Sequence, residues 1–127
     1  MLQIQPITLE GQHVKLAPLT LGHVDSLCEV GLDPSIWEWN SSPVYDQKDM
    51  LAYVESALNG QERGDMLPFV TIEKNSGQVI GSTRYAAIDM VHKRLEIGWT
   101  WITPAWQRTF VNTEAKLLML RYAFNTL

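Results

Sequence analysis

Three apolar runs crowd the middle of this chain, and their close spacing limits its possible folds more than any other feature. Met66-Leu67-Pro68-Phe69-Val70-Thr71-Ile72 comes first, Gln78 to Ile88 second and Arg94 to Ile102 third. All three are rich in β-branched and aromatic residues, as strands are. In the third, Leu95, Ile97, Trp99 and Trp101 alternate with Glu96, Gly98, Thr100 and Ile102. Asn75-Ser76-Gly77 is a turn signal between the first two runs, and Asp89 to Lys93 joins the second to the third. Consecutive strands with short connections predict an antiparallel meander.

The flanks add helices. Gln12-His13-Val14-Lys15-Leu16 alternates polar and apolar residues and reads as an earlier strand that Pro18 ends. Thr20 stands where an N-cap belongs, ahead of Leu21, Val24, Leu27 and Cys28 at helical spacing, and Gly31 with Asp33-Pro34 stops that helix. An aromatic loop, Ile36-Trp37-Glu38-Trp39-Asn40-Ser41-Ser42-Pro43, follows. Asp46 caps a second helix with Met50, Leu51, Val54 and Leu58 on one side, ending near Gly60. After Pro104, a loop from Thr103 to Asn112 leads into a helix over Thr113–Leu127, with Leu117, Leu120, Phe124 and Leu127 on one apolar stripe. The expected fold is α+β: a mostly antiparallel sheet of about four strands, two helices after the first strand, and a C-terminal helix. Residues 1–127 form one domain, in keeping with ~100–200 residues per domain.

Composition excludes several classes. The chain is 46% hydrophobic and 19% charged, far from the polar, highly charged balance of a disordered segment. A net charge of −4 without any basic block gives a nucleic-acid backbone nothing to bind. No apolar run approaches the ~18–20 residues of a membrane span, and Met1 to Pro6 lacks the pattern of a signal peptide. The lone Cys28 cannot form an internal disulfide and reads as a small buried hydrophobe. His13, His23 and His92 show no ligand spacing, so no metal site is expected. Ser41-Ser42 lacks the context of a nucleophile elbow. The expected molecule is a soluble cytoplasmic domain with neither membrane nor nucleic acid as partner.

The order of elements, with Glu96-Ile97-Gly98-Trp99-Thr100-Trp101 leading through a loop into Thr113-Glu114-Ala115-Lys116, resembles the GNAT acetyltransferases. Leu9 to Leu19 and the Trp37-Glu38-Trp39 loop are similar to the ribosomal-protein N-terminal acetyltransferase subgroup. The resemblance implies transfer of an acetyl group from acetyl-CoA to a primary amine, on a protein N-terminus or a small molecule. Family members hold the coenzyme pyrophosphate on backbone N–H groups of a Gln/Arg-x-x-Gly-x-Gly/Ala loop opening a helix, where free amides and the helix dipole favour an anion. That motif falls on Gln107-Arg108-Thr109-Phe110-Val111-Asn112, followed by Thr113. Gln107 matches, while Phe110 stands where glycine is usual and Asn112 where glycine or alanine is usual. Glycine takes positive φ freely and lets a backbone approach closely, so both departures weigh against coenzyme binding. Arg108 offers a compensating guanidinium.

The resemblance implies further roles. Glu96 is the candidate general base; the alternative is a strand-surface carboxylate paired with Arg84 or Arg94. Trp101 and Ile102 offer backbone groups to the pantetheine arm. Trp37 and Trp39 border the acceptor pocket, or else pin their loop to the core. Arg84 meets an acidic acceptor, or else is salt-bridged or faces an edge. The family's fifth strand, fourth helix and last two strands have no counterpart here, so the expected fold lacks its C-terminal third. That expectation leaves a rival open: a non-catalytic acyl-CoA-binding or protein-interaction module. It also predicts a homodimer, because the free edge of the third meander strand and the last helix, whose stripe Leu118 and Met119 widen, both invite pairing.

Overall fold

A computed structural model describes residues 5–38, 43–107 and 109–126. One antiparallel sheet carries five strands in chain order: β1 (Leu9–Glu10), β2 (Val14–Pro18), β3 (Leu67–Glu73), β4 (Gln78–Asp89) and β5 (Arg94–Ile102). The meander is present as the spacing predicts. The additional strand is β1, two residues long and paired Leu9 to Leu16. An element that short has too little periodicity to be read from sequence.

Helices cover both faces. On one side lie α1 (Val24–Gly31) and α3 (Gln47–Arg63), with the four-residue α2 (Pro34–Trp37) between them in sequence. On the other lies α4 (Phe110–Thr126). Strand alternation sorts the core accordingly: Phe69, Ile80 and Tyr85 pack toward α4, whereas Val70 packs with Leu27, Met50 and Val54 of α1 and α3. Asp46 caps α3 by accepting a hydrogen bond from Asp49 N, as the sequence predicts. The helix runs past Gly60 to Gly64, whose φ of +88° is the left-handed conformation of a C-cap glycine. Gly60 serves packing instead: a Cβ there would lie 2.5 Å from Met66 Sδ.

The turn after β3 is held by Glu73, whose carboxylate accepts from Asn75 N at 2.9 Å, Ser76 N at 3.0 Å and Ser76 Oγ at 2.8 Å. These donors hold its pKa below the usual 4.5. Its contribution is therefore complete above that value and lost as pH falls through the lowered folded-state pKa. Urea titrations across that acidic range should show Glu73→Gln lacking this part of the wild-type pH dependence; parallel curves would refute it.

The last helix departs from expectation twice. It starts at Phe110, not Thr113, because Thr109 Oγ1 accepts from Val111 N and caps it early. Its buried face is also not the one expected. Val111, Ala115 and Met119 are buried, while Leu117, Leu120 and Phe124 are exposed by 54%, 46% and 84%. Apolar residues run almost all round this helix, so spacing alone cannot choose a face; small Ala115 and flexible Met119 fit closest to the sheet. The buried Tyr85 hydroxyl donates to the Met119 carbonyl across that interface. At the helix start, Glu114 Oε1 accepts from His13 N at 2.8 Å and sits where a Cβ on Gly11 would be. Phe110 packs against the His13 ring, 4.6 Å between centroids.

Candidate active site

The ladder between β4 and β5 shifts register twice, between Ala86 and Asp89 and, nearer the strand end, between Ser82 and Arg84. Arg84 pairs with Gly98 and Ser82 with Trp101, so Trp99 and Thr100 together face Thr83. This second shift is a β-bulge, and Trp99 occupies it with φ +52°, a conformation costing a non-glycine residue roughly 1–3 kcal/mol. Neighbouring contacts hold it there. Tyr53 OH of α3 donates to the Trp99 carbonyl at 3.2 Å, and the Thr83 and Thr100 hydroxyls lie 2.7 Å apart. The extra residue also switches faces: Leu95 and Ile97 pack toward α4, whereas Trp101 packs with the α1 and α3 core.

Two cavities open on this segment. One, of about 280 Å³, lies between α3, β4 and the bulge, with Asp49, Tyr53, Arg84 and Trp99 in its wall. The other, also about 280 Å³, lies at the strand end, lined by Thr100, Trp101, Ile102, Gln107 and Asn112 among others. Two of these lining residues carry buried atoms without hydrogen-bond partners, Trp101 Nε1 and Asn112 Oδ1. A buried N–H and a buried C=O left unpaired suit a ligand that carries both an acceptor and a donor.

The structure gathers the predicted coenzyme residues. Trp101 and Ile102 close the strand, Gln107 Nε2 donates to the Ile102 carbonyl at 2.9 Å, and Thr109 Oγ1 donates to the Trp106 carbonyl at 2.7 Å. Val111 is buried in the first turn of α4, and Thr113 is exposed in the same turn. Phe110 and Asn112 belong to the helix itself and have no positive φ, so neither position demands glycine for its backbone. The Phe110 ring turns aside onto His13. Arg108 and Trp39 lie outside the described residues.

The other candidates are more scattered. Trp37 is buried, donates Nε1 to the Gly31 carbonyl at 2.7 Å and packs on Trp101 at 5.6 Å between centroids. It pins its segment to the core and backs the site from behind. Glu96 is exposed opposite Ala86, three residues before Trp99, roughly 10 Å away along the strand. It lines a wide groove of about 1080 Å³ with Leu95, Leu120 and Phe124. Among the described residues it has no ion pair; Arg94 pairs with Asp89 at 3.5 Å.

Among the described residues Arg84 has no salt bridge, and it does not lie at an edge, contrary to the alternative expectation. It is 1% exposed, on the strand between β3 and β5. Its guanidinium carbon lies 4.9 Å from the Tyr53 ring centre and 4.6 Å from that of Trp99. Each such contact is worth ~0.5–2 kcal/mol. Sequence reading did not single out Tyr53, because on α3 it looks like any half-apolar helix residue. The signal that could have found it is the unpaired cation it must serve.

Comparison with known proteins follows the same outline. Residues 13–127 match the family model described as an acetyltransferase (GNAT) domain. The chain is 29% identical to an uncharacterized N-acetyltransferase p20 of Bacillus licheniformis, covering 94% of this chain and 67% of that one. A GCN5-related N-acetyltransferase structure from Brucella melitensis superposes with a TM-score of 0.85 at 27% identity, over 98% of this chain and 57% of that one. This chain thus spans little more than half of that relative's length. A Salmonella typhimurium acetyl transferase that modifies the N-terminal serine of ribosomal protein L7/L12 aligns with a TM-score of 0.80 but 16% identity, over 94% and 69% of the chains. That likeness shows the fold alone and does not single out the ribosomal-protein subgroup. With its meander, its helix-opening loop and the family model all agreeing over nearly its whole length, this chain belongs to the GNAT acetyltransferases.

Proposed function

We propose that the chain is the donor- and acceptor-binding part of an acetyl-CoA-dependent N-acetyltransferase acting on a primary amine. One observation carries this reading: two cavities of about 280 Å³ with different linings both border the bulged Trp99–Trp101 segment. The amine nitrogen attacks the thioester carbonyl of acetyl-CoA, the C–N bond forms as the C–S bond breaks, and coenzyme A leaves as a thiolate that takes a proton from solvent. The strand end at Trp101 and Ile102 and the helix start from Gln107 to Thr113 hold the coenzyme, with Trp101 Nε1 and Asn112 Oδ1 gaining the partners they lack. The cavity at Trp99 takes the amine. Backbone N–H groups that the bulge takes out of the ladder face the developing oxyanion. Glu96 accepts the amine's proton through water across the gap between them.

Calorimetric titration with acetyl-CoA followed by thiol release against a panel of amines tests this. The expected result is binding in the micromolar to submillimolar range usual for enzyme substrates, with release that depends on the amine. Binding without turnover on any amine leaves the non-catalytic acyl-CoA module. Absence of binding sinks both readings.

A further inference from the structure

We infer that the acceptor amine carries a carboxylate, read by Arg84 in the cavity between α3, β4 and the bulge. The inference rests on the acyl-transfer reading for the amine but not for the anion site. A guanidinium presents five N–H donors, and among the described residues no carboxylate meets them. Nη1 donates only to Met66 Sδ, at 3.4 Å, and Nε has no partner at all. Among the described residues no ion pair includes Arg84. Asp49 lines the same cavity, but its carboxylate accepts from Tyr45 N and makes no ion pair with Arg84.

The two rings do not replace that missing partner. Their centres are 6.4 Å apart and each lies under 5 Å from the guanidinium carbon, so the group sits in the corner between them. Rings satisfy the face of a guanidinium, whereas carboxylates bind its N–H edge, side by side in a fork. A buried cation among the residues lining an open cavity, with Nη1 on a thioether sulfur and Nε without a partner, suits an anion that arrives with the ligand. The cavity's volume of about 280 Å³ fits a group of side-chain size. A carboxylate suits it better than phosphate, because a single arginine faces the ligand and two oxygens match its fork.

The test compares primary amines in pairs differing only as carboxylate against carboxamide, such as Asp-Ala-Ala amide with Asn-Ala-Ala amide and β-alanine with β-alaninamide. Each is assayed for kcat/KM and, separately, for equilibrium binding by calorimetry. Unaltered protein should prefer the carboxylate member of at least one pair by roughly 10–100-fold, the range for hydrogen bonds to a charged group. Arg84→Met should abolish that preference while leaving the Kd for acetyl-CoA within about twofold, and Arg84→Lys, which keeps charge but not the fork, should fall between. Carboxylate-selective binding without transfer to any amine would uphold the anion site and overturn the enzyme reading alone. Equal treatment of every pair by the unaltered protein, or a preference that survives in Arg84→Met, overturns the inference.

Discussion

Gly81→Ala is expected to be among the most damaging single-methyl changes in this protein, lowering stability by ~1–3 kcal/mol or more. Under the proposed function, acetyl transfer should fall by roughly 100-fold, the order expected when reacting groups shift by an ångström. A Cβ on Gly81 would collide with the Trp101 carbonyl oxygen and lie 3.1 Å from Ile102 Cα. Both are backbone atoms, so no side-chain rotation relieves the clash; β4 and β5 must part. They would part at the strand end that forms the proposed coenzyme wall. Urea unfolding with a shifted midpoint, a weakened acetyl-CoA Kd and an unchanged far-ultraviolet circular dichroism spectrum would together report this. Wild-type affinity for acetyl-CoA in a destabilised Gly81→Ala protein would show that the strand end is not part of the coenzyme wall.

Met119→Ala is the second. Met119 is fully buried under the sheet, beneath Thr83, and its truncation should cost ~2–5 kcal/mol through lost burial and the cavity left behind. Leu117→Ala on the same helix should change stability by no more than ~0.5 kcal/mol, since that side chain is mostly exposed. With total stabilities of ~5–15 kcal/mol, the contrast is easily read in thermal or urea unfolding. The reverse ranking would mean that α4 docks by its other face.

That contrast marks where sequence reading stops. The meander was legible because Asn75-Ser76-Gly77 and the alternation in β5 are local signals, and Asp46 was legible as a cap for the same reason. The face of α4 was not, because both candidate stripes are apolar and only the shape of the sheet decides between them. The bulge was hidden by the very regularity that revealed its strand. Leu95, Ile97, Trp99 and Trp101 read as one face, yet the inserted residue sends Trp101 to the opposite side from Leu95 and Ile97. Of the proposed site, Gln107, Trp101 and Ile102 became candidates by resemblance, while the environment of Arg84 needed the fold. Nothing local links a strand arginine to a tyrosine on α3.

The hydrogen bond from His13 N to Glu114 joins residues 101 positions apart. It closes the first hairpin against the start of the last helix, the same helix that covers Leu16 of β2. During synthesis the hairpin leaves the ribosome long before its clasp exists. Until α4 arrives, the face of the sheet bearing Val14, Leu16 and Phe69 has no cover. Native structure on that side therefore forms only after residue 114 has been added, and in the meantime the nascent chain depends on local turns and on the α1–α3 face for whatever order it holds.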